Sequence, residues 1–86
     1  MDRSRIKKHH VAVTVRHDED GRCRPLQIFW DSRVFHVDDL ISVTNRRSRK
    51  NPDAGIEYRI RIGQTVTNLY QEQNRWFVES HERLEG

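Results

Sequence analysis

Apolar and polar residues alternate with a period of two through most of the chain. In HVAVTVRH, Val11, Val13 and Val15 share one face while His10, Thr14 and Arg16 share the other, the pattern of a half-buried strand. DEDG then supplies a turn, with Asp20-Gly21 its strongest signal. PLQIFW reads as a second strand with Leu26, Ile28 and Trp30 inward and Phe29 outward. DSR turns the chain tightly into VFHV, where Phe35 and Val37 face the core. A bend at Asp38-Asp39 leads into a strand with Ile41 and Val43 inward. KNPDAG is a loop, because Pro52 has no amide hydrogen and biases Asn51 away from helix. IEYRIRIG is the clearest strand, with Ile56, Tyr58, Ile60 and Ile62 alternating with Glu57, Arg59 and Arg61. Beyond a turn at Gly63-Gln64, Val66 and Leu69 stand three apart, which predicts a bulge or local bend in TVTNLYQE. NRWFVESH closes the pattern with Trp76 and Val78 on one face.

Short strands joined by turns, with no helical period, predict an all-β fold. The expected form is a small, strongly bent antiparallel meander of seven strands closing toward an SH3-like, partly closed barrel. Trp30 and Trp76 read as core anchors. MDRSRIKKH, residues 1–9, is basic and aperiodic and reads as a flexible arm. Residues 10–81 form a single β domain, and 82–86 a C-terminal tail.

Composition bears on function more than on fold. Eighty-six residues suffice for one domain, and the apolar and charged shares are equal at 34%. A chain this short buries only about 60–65% of its unfolded surface, so dimerisation would add stability. The single cysteine, Cys23, excludes an internal disulfide and a multi-cysteine metal site. No apolar run approaches the ~18 residues of a membrane span, and no signal-peptide core follows Met1. The expectation is a cytoplasmic protein without a membrane partner. The net charge of +3 is compatible with a polyanion, and equally with ordinary solubility.

One stretch raises a sharper question. TNRRSRKNPDAG concentrates Arg46, Arg47, Arg49 and Lys50. If its strand pairs with IEYRIRIG so that Val43 lies opposite Ile62 and Arg47 opposite Tyr58, then Arg46 lies opposite Arg59 and Thr44 opposite Arg61. Arg46, Arg59 and Arg61 would then form a solvent-facing cluster, with Arg49 and Lys50 at the tip. Like charges across a ladder destabilise it, and an anion relieves them. Arginine suits bidentate phosphate contacts, so the candidate partner is DNA or RNA through its backbone. The plainer reading has Glu57 and neighbouring acidic residues neutralise a solvated face. Tyr70 and Phe77 are candidate exposed aromatics, as stacking shelves or as contacts to a protein partner or second copy.

Catalytic and metal chemistry find little purchase. His17 and Cys23 flank the first turn and offer two soft ligands, where a closed zinc site wants four. Arg22 and Arg24 beside Cys23 would favour a thiolate, but no oxyanion hole is identifiable. Asp38 and Asp39 diverge if they lie on a strand. All four glycines are isolated, so no phosphate loop is present. No catalytic residue, metal ligand or cofactor is assigned.

WDSRVFHV, EYRIRIG and NLYQEQNRWFVE, in that order and spacing, resemble a family of small bacterial proteins of uncharacterised function. The residues that carry the resemblance are Trp30, Arg33, Phe35 and Val37, then Tyr58-Arg59, Leu69-Tyr70 and Trp76-Phe77, over about residues 25–79. Relatives tend to have Gly in the turn where this chain has Ser32. Some look like a terminal domain on proteins related to translesion DNA polymerases, which implies a nucleic-acid-processing setting. The expected function is a non-catalytic binding module, with nucleic-acid backbone as the first partner class and a protein or second copy as the other.

Overall fold

The computed structural model describes the backbone over residues 4–83 and side chains over 6–80. Within that range the fold is all-β: β1 Ser4–His17, β2 Cys23–Trp30, β3 Arg33–His36, β4 Asp39–Asn45, β5 Ile56–Ile62, β6 Thr65–Glu72 and β7 Arg75–Arg83. These form one antiparallel sheet in the order β3-β2-β1-β7-β6-β5-β4. No helix among the described residues is long and apolar enough to cross a membrane.

The order of strands dictates the shape. β3 and β4 lie at opposite edges of the sheet, yet only Val37 and Asp38 connect them. The three Cα steps from His36 to Asp39 span at most about 11 Å, so the sheet must curl until its edges nearly meet at that corner. Two backbone bonds pin the corner: Val37 N–H donates to Leu26 O and Asp38 N–H to Arg61 O, each at 2.9 Å. The result is a strongly curled half-barrel, in accord with the SH3-like architecture expected from the alternation.

Turn chemistry follows local sequence. Asp31 and Ser32 (φ 54° and 59°) and Gln73 and Asn74 (φ 48° and 66°) form two-residue hairpins with both central residues left-handed, as type I′ turns require. Gly63 takes φ 61° in the turn between β5 and β6. In the first turn the Asp18 carboxylate accepts from the amides of Asp20 and Arg22, at 3.0 and 2.9 Å.

The concave face holds the core: Ile28, Tyr58, Ile60, Leu69 and Val78, ringed by Val11, Val13, Phe35, Val37, Leu40, Ile56, Ile62 and Trp76. Several expectations are corrected here. The register of β1 and β2 shifts between Thr14, opposite Gln27, and Val15, opposite Pro25. Leu26 is therefore the extra residue of a bulge; it is 39% exposed, and Pro25 takes the buried place. Trp30 is 37% exposed at the rim, its ring 5.1 Å from His9 and 6.5 Å from Phe35, so only Trp76 serves the core. A second bulge falls at Ile41 in β4, which hands the inward position to Leu40 and leaves Ile41 49% exposed. Val43 stands opposite Tyr58 but at the sheet edge, where nothing covers it. The β5–β6 ladder, in contrast, runs unbroken from Ile62–Thr65 to Ile56–Gln71. No bulge reconciles Val66 with Leu69; Val66 simply faces solvent.

The first strand also begins earlier than its alternation suggests. Residues 4–9 are not an arm but pair with β7 from Ser4–Arg83 to His9–Val78. The same ladder draws Glu82 and Arg83 out of the expected tail and into β7. The remaining parts of the arm and tail, residues 1–3 and 84–86, lie outside the described residues.

Candidate functional site

The basic hairpin forms, in a different register. Val43 lies opposite Tyr58, Thr44 opposite Glu57, Ser42 opposite Arg59 and Asp39 opposite Arg61. The slip relative to expectation is four residues at Val43, an even number, so Arg46, Arg59 and Arg61 keep a common face while their neighbours change. Arg46 now meets Glu57, whose Oε2 accepts from its Nη2 at 2.6 Å and its Nε at 2.9 Å. That hydrogen bond and the adjacent negative charge hold the Arg46 guanidinium still more firmly protonated. Arg61 donates to Gly63 O at 2.7 Å and lies 3.8 Å from Asp39. Arg59 is exposed, as are Arg47, Arg49 and Lys50 in the loop. The expected cluster is thus a partly neutralised face with a free basic loop above it.

The aromatic candidates are also separated. Phe77 is only 4% exposed, because Tyr70 stacks on it (5.1 Å, 14°) and the Lys8 ammonium sits 4.5 Å from its ring centroid. It has no free face for a base. Tyr70 is half-buried, and its hydroxyl lies 3.4 Å from Asn68 Nδ2 and 3.5 Å from Glu57. Burial is the main cause that pushes the Tyr70 phenol up from its ordinary value. The hollow beside this pair, about 560 Å³, is bordered by charges of both signs, including the Lys8–Glu72 pair at 3.2 Å.

A larger cleft opens on the concave side, with a volume of about 890 Å³. Its floor is Leu40, Val43, Ile56, Tyr58 and Gln71, and its wall is the β1–β2 hairpin. That wall carries Arg16, His17, Arg22 and Arg24 against one lining carboxylate, Asp18, already engaged by turn amides. Glu19 and Asp20 belong to the hairpin tip and are not part of the lining. Arg16 stands directly opposite Arg24 on the ladder, and no ion pair among the described residues engages either. The like-charge pairing anticipated for Arg46 and Arg59 occurs here instead. Sequence reading weighed Arg22 and Arg24 only as neighbours of Cys23. The overlooked signal was their spacing: two arginines on alternate positions, facing Arg16 across a short hairpin.

Cys23 and His17 do meet, as direct partners on the ladder. The thiol, however, is not activated. Burial raises its pKa, and a hydrogen bond with Tyr58 offsets this only in part. Burial first, then the adjacent Cys23, pushes Tyr58 up to about 12, and its hydroxyl also donates to Gln71 Oε1 at 3.3 Å. A neutral phenol and a neutral thiol are poor metal ligands and poor nucleophiles at neutral pH. Among the described residues no three His, Cys, Asp or Glu side chains converge to hold a metal.

No protein-family model, curated protein or solved structure matches this chain.

Proposed function

We propose that this protein is a non-catalytic binding module of the cytoplasm that takes the phosphate backbone of a nucleic acid at the basic end of its half-barrel. The observation that carries this reading is the Arg16–Arg24 pair, two exposed arginines directly opposite each other on the β1–β2 hairpin that walls the cleft, on its outer face by alternation from Val15 and Pro25, with Arg22 two residues before Arg24. Like charges across a ladder weaken it, and a bridging phosphate turns the repulsion into bidentate contacts. The basic loop lies near the same end, because β5 begins at Ile56, a cleft residue, where it pairs with Asn45. Arg47, Arg49 and Lys50 extend the charge for a strand crossing the mouth. The unreactive Cys23–Tyr58 floor suits a surface that binds without transforming its ligand.

Fluorescence anisotropy with labelled single-stranded DNA and RNA at low salt tests this. Binding should weaken linearly on a log–log salt plot, with a slope of roughly −0.7 per phosphate engaged. Replacing Arg16, Arg22 and Arg24 together by Gln should abolish it, while Arg59→Gln should change it little. No anisotropy change for the unaltered protein, or equal binding by the triple variant, would overturn the assignment.

A further inference from the structure

The edge of the sheet at β4 carries a second surface, which borders the basic cleft at Leu40 and Val43. We propose that β4 pairs edge to edge with β4 of a second copy of this chain, antiparallel about a two-fold axis near Val43.

β4 has a strand on one side only, since the sheet ends there. Arg46 N–H donates to Gly55 O, so alternation turns the backbone groups of Thr44 and Ser42 toward β5 as well. Those of Val43 and Asn45 face away from the sheet. Natural edge strands are blunted by proline, charged side chains, bulges or shortness. The opposite edge follows that rule, for β3 has four residues and begins with Arg33. β4 has seven, without Pro or Lys, and its only irregularity is the bulge at Ile41. Beyond the bulge, Ser42–Asn45 is regular and open. Ile41 and Val43 are 49% and 52% exposed there, in a chain whose buried core is small.

The charges select the occupant. Asp38 and Asp39 stand at the start of β4, and Arg46, Arg47, Arg49 and Lys50 follow its end. A strand acidic at one end and basic at the other complements itself only when antiparallel. Centred on Val43, the pairing brings the acidic start of each β4, Asp38-Asp39, toward the basic run after Asn45 in the other copy. Arg46 and Asp38 have partners within the chain, in Glu57 and the Gly63 amide. Asp39 has Arg61 only at 3.8 Å and keeps 62% of its side chain exposed, and no ion pair among the described residues engages Arg47. The interface is isologous: every contact occurs twice, and the assembly closes at two copies.

Analytical ultracentrifugation of the full chain over a wide concentration range should show a monomer–dimer equilibrium. Val43→Pro deletes one outward N–H and leaves the β4–β5 ladder intact, so this variant should stay monomeric where the unaltered chain is dimeric. Arg47→Asp should weaken the dimer, and adding Asp39→Arg should restore it, which also decides the matter should the proline variant fold poorly. A chain that stays monomeric at its solubility limit would overturn the proposal and leave an extended segment of another protein as the occupant. A dimer that survives Val43→Pro, or a charge swap that restores nothing, would overturn it too.

Discussion

Arg46, just past the end of β4, and Glu57 of β5 are joined by two hydrogen bonds to one carboxylate oxygen, at 2.6 and 2.9 Å, across the most basic hairpin in the chain. The pair is asymmetric in exposure, since 58% of the Arg46 side chain is accessible against 15% of Glu57. Glu57 therefore acts as an internal counter-ion that cancels one charge of the face shared with Arg59. Glu57→Gln should release that charge for a phosphate. The salt dependence of single-strand binding should steepen by about 0.7 in log–log slope, read from anisotropy titrations at several salt concentrations.

Tyr58 gives stability a pH dependence whose sign follows from linkage. Its phenol titrates near 10 when unfolded and is pushed up to about 12 in the fold. Between those values the unfolded chain has released the proton and the folded chain has kept it, so the unfolded state gains as pH rises. The contribution is whole below pH 10 and should fall by roughly 2–3 kcal/mol by pH 12. Cys23, also raised, acts in the same direction from lower pH. Urea denaturation at pH 9, 10, 11 and 12 should show a steeper decline for the unaltered protein than for Tyr58→Phe. Parallel curves would count against a neutral, buried phenol.

What the sequence revealed, and what it hid, divides along the range of the interactions. Strand alternation and the turns at Asp31-Ser32 and Gly63-Gln64 are local, and they were legible. Curling of the sheet was legible as a class, because a meander of short strands has few ways to bury one face. The bulges at Leu26 and Ile41 were not, since each depends on what the partner strand presents, and an alternating run looks the same with or without an extra residue. Val66 and Leu69 show the converse error, where a solvent-facing valine was read as a break in period. The register at Val43–Tyr58 was set by the length of the loop, which alternation does not encode. The Arg16–Arg24 pairing lies on the turn side of the bulge at Leu26 and is set by the turn closed between Asp18 and Arg22, whose register alternation does not encode.

Gly55 is the least replaceable glycine of those with described surroundings. Its residue is buried where the hairpin returns to β5, and an added Cβ would collide with the backbone carbonyl of Gln71. Backbone cannot step aside as a side chain can, so β5 and β6 would have to part at Ile56–Gln71. Gly55→Ala should cost about 1–3 kcal/mol. At roughly 4–8 °C per kcal/mol for a domain of this size, the loss of Tm should be plain in a thermal melt. Gly63→Ala meets open space and bears only the strain of its positive φ, so it should melt closer to the unaltered protein.

Leu69 and Val66 provide the sharpest test of which face of β6 is buried. Leu69 is 0% exposed at the centre of the core, between Tyr58 and Val78 on the two flanking strands. Val66 is 44% exposed on the opposite face. An unbroken ladder fixes both orientations at once, because any bulge between them would turn both inward. Leu69→Ala should remove about 2–5 kcal/mol, enough to leave a domain this small largely unfolded at 37 °C. Val66→Ala should stay within about 0.5 kcal/mol of the unaltered protein. Denaturant midpoints for the two variants, with m-values unchanged, measure the contrast directly. Comparable losses at both positions would mean that β6 bends and buries Val66 after all.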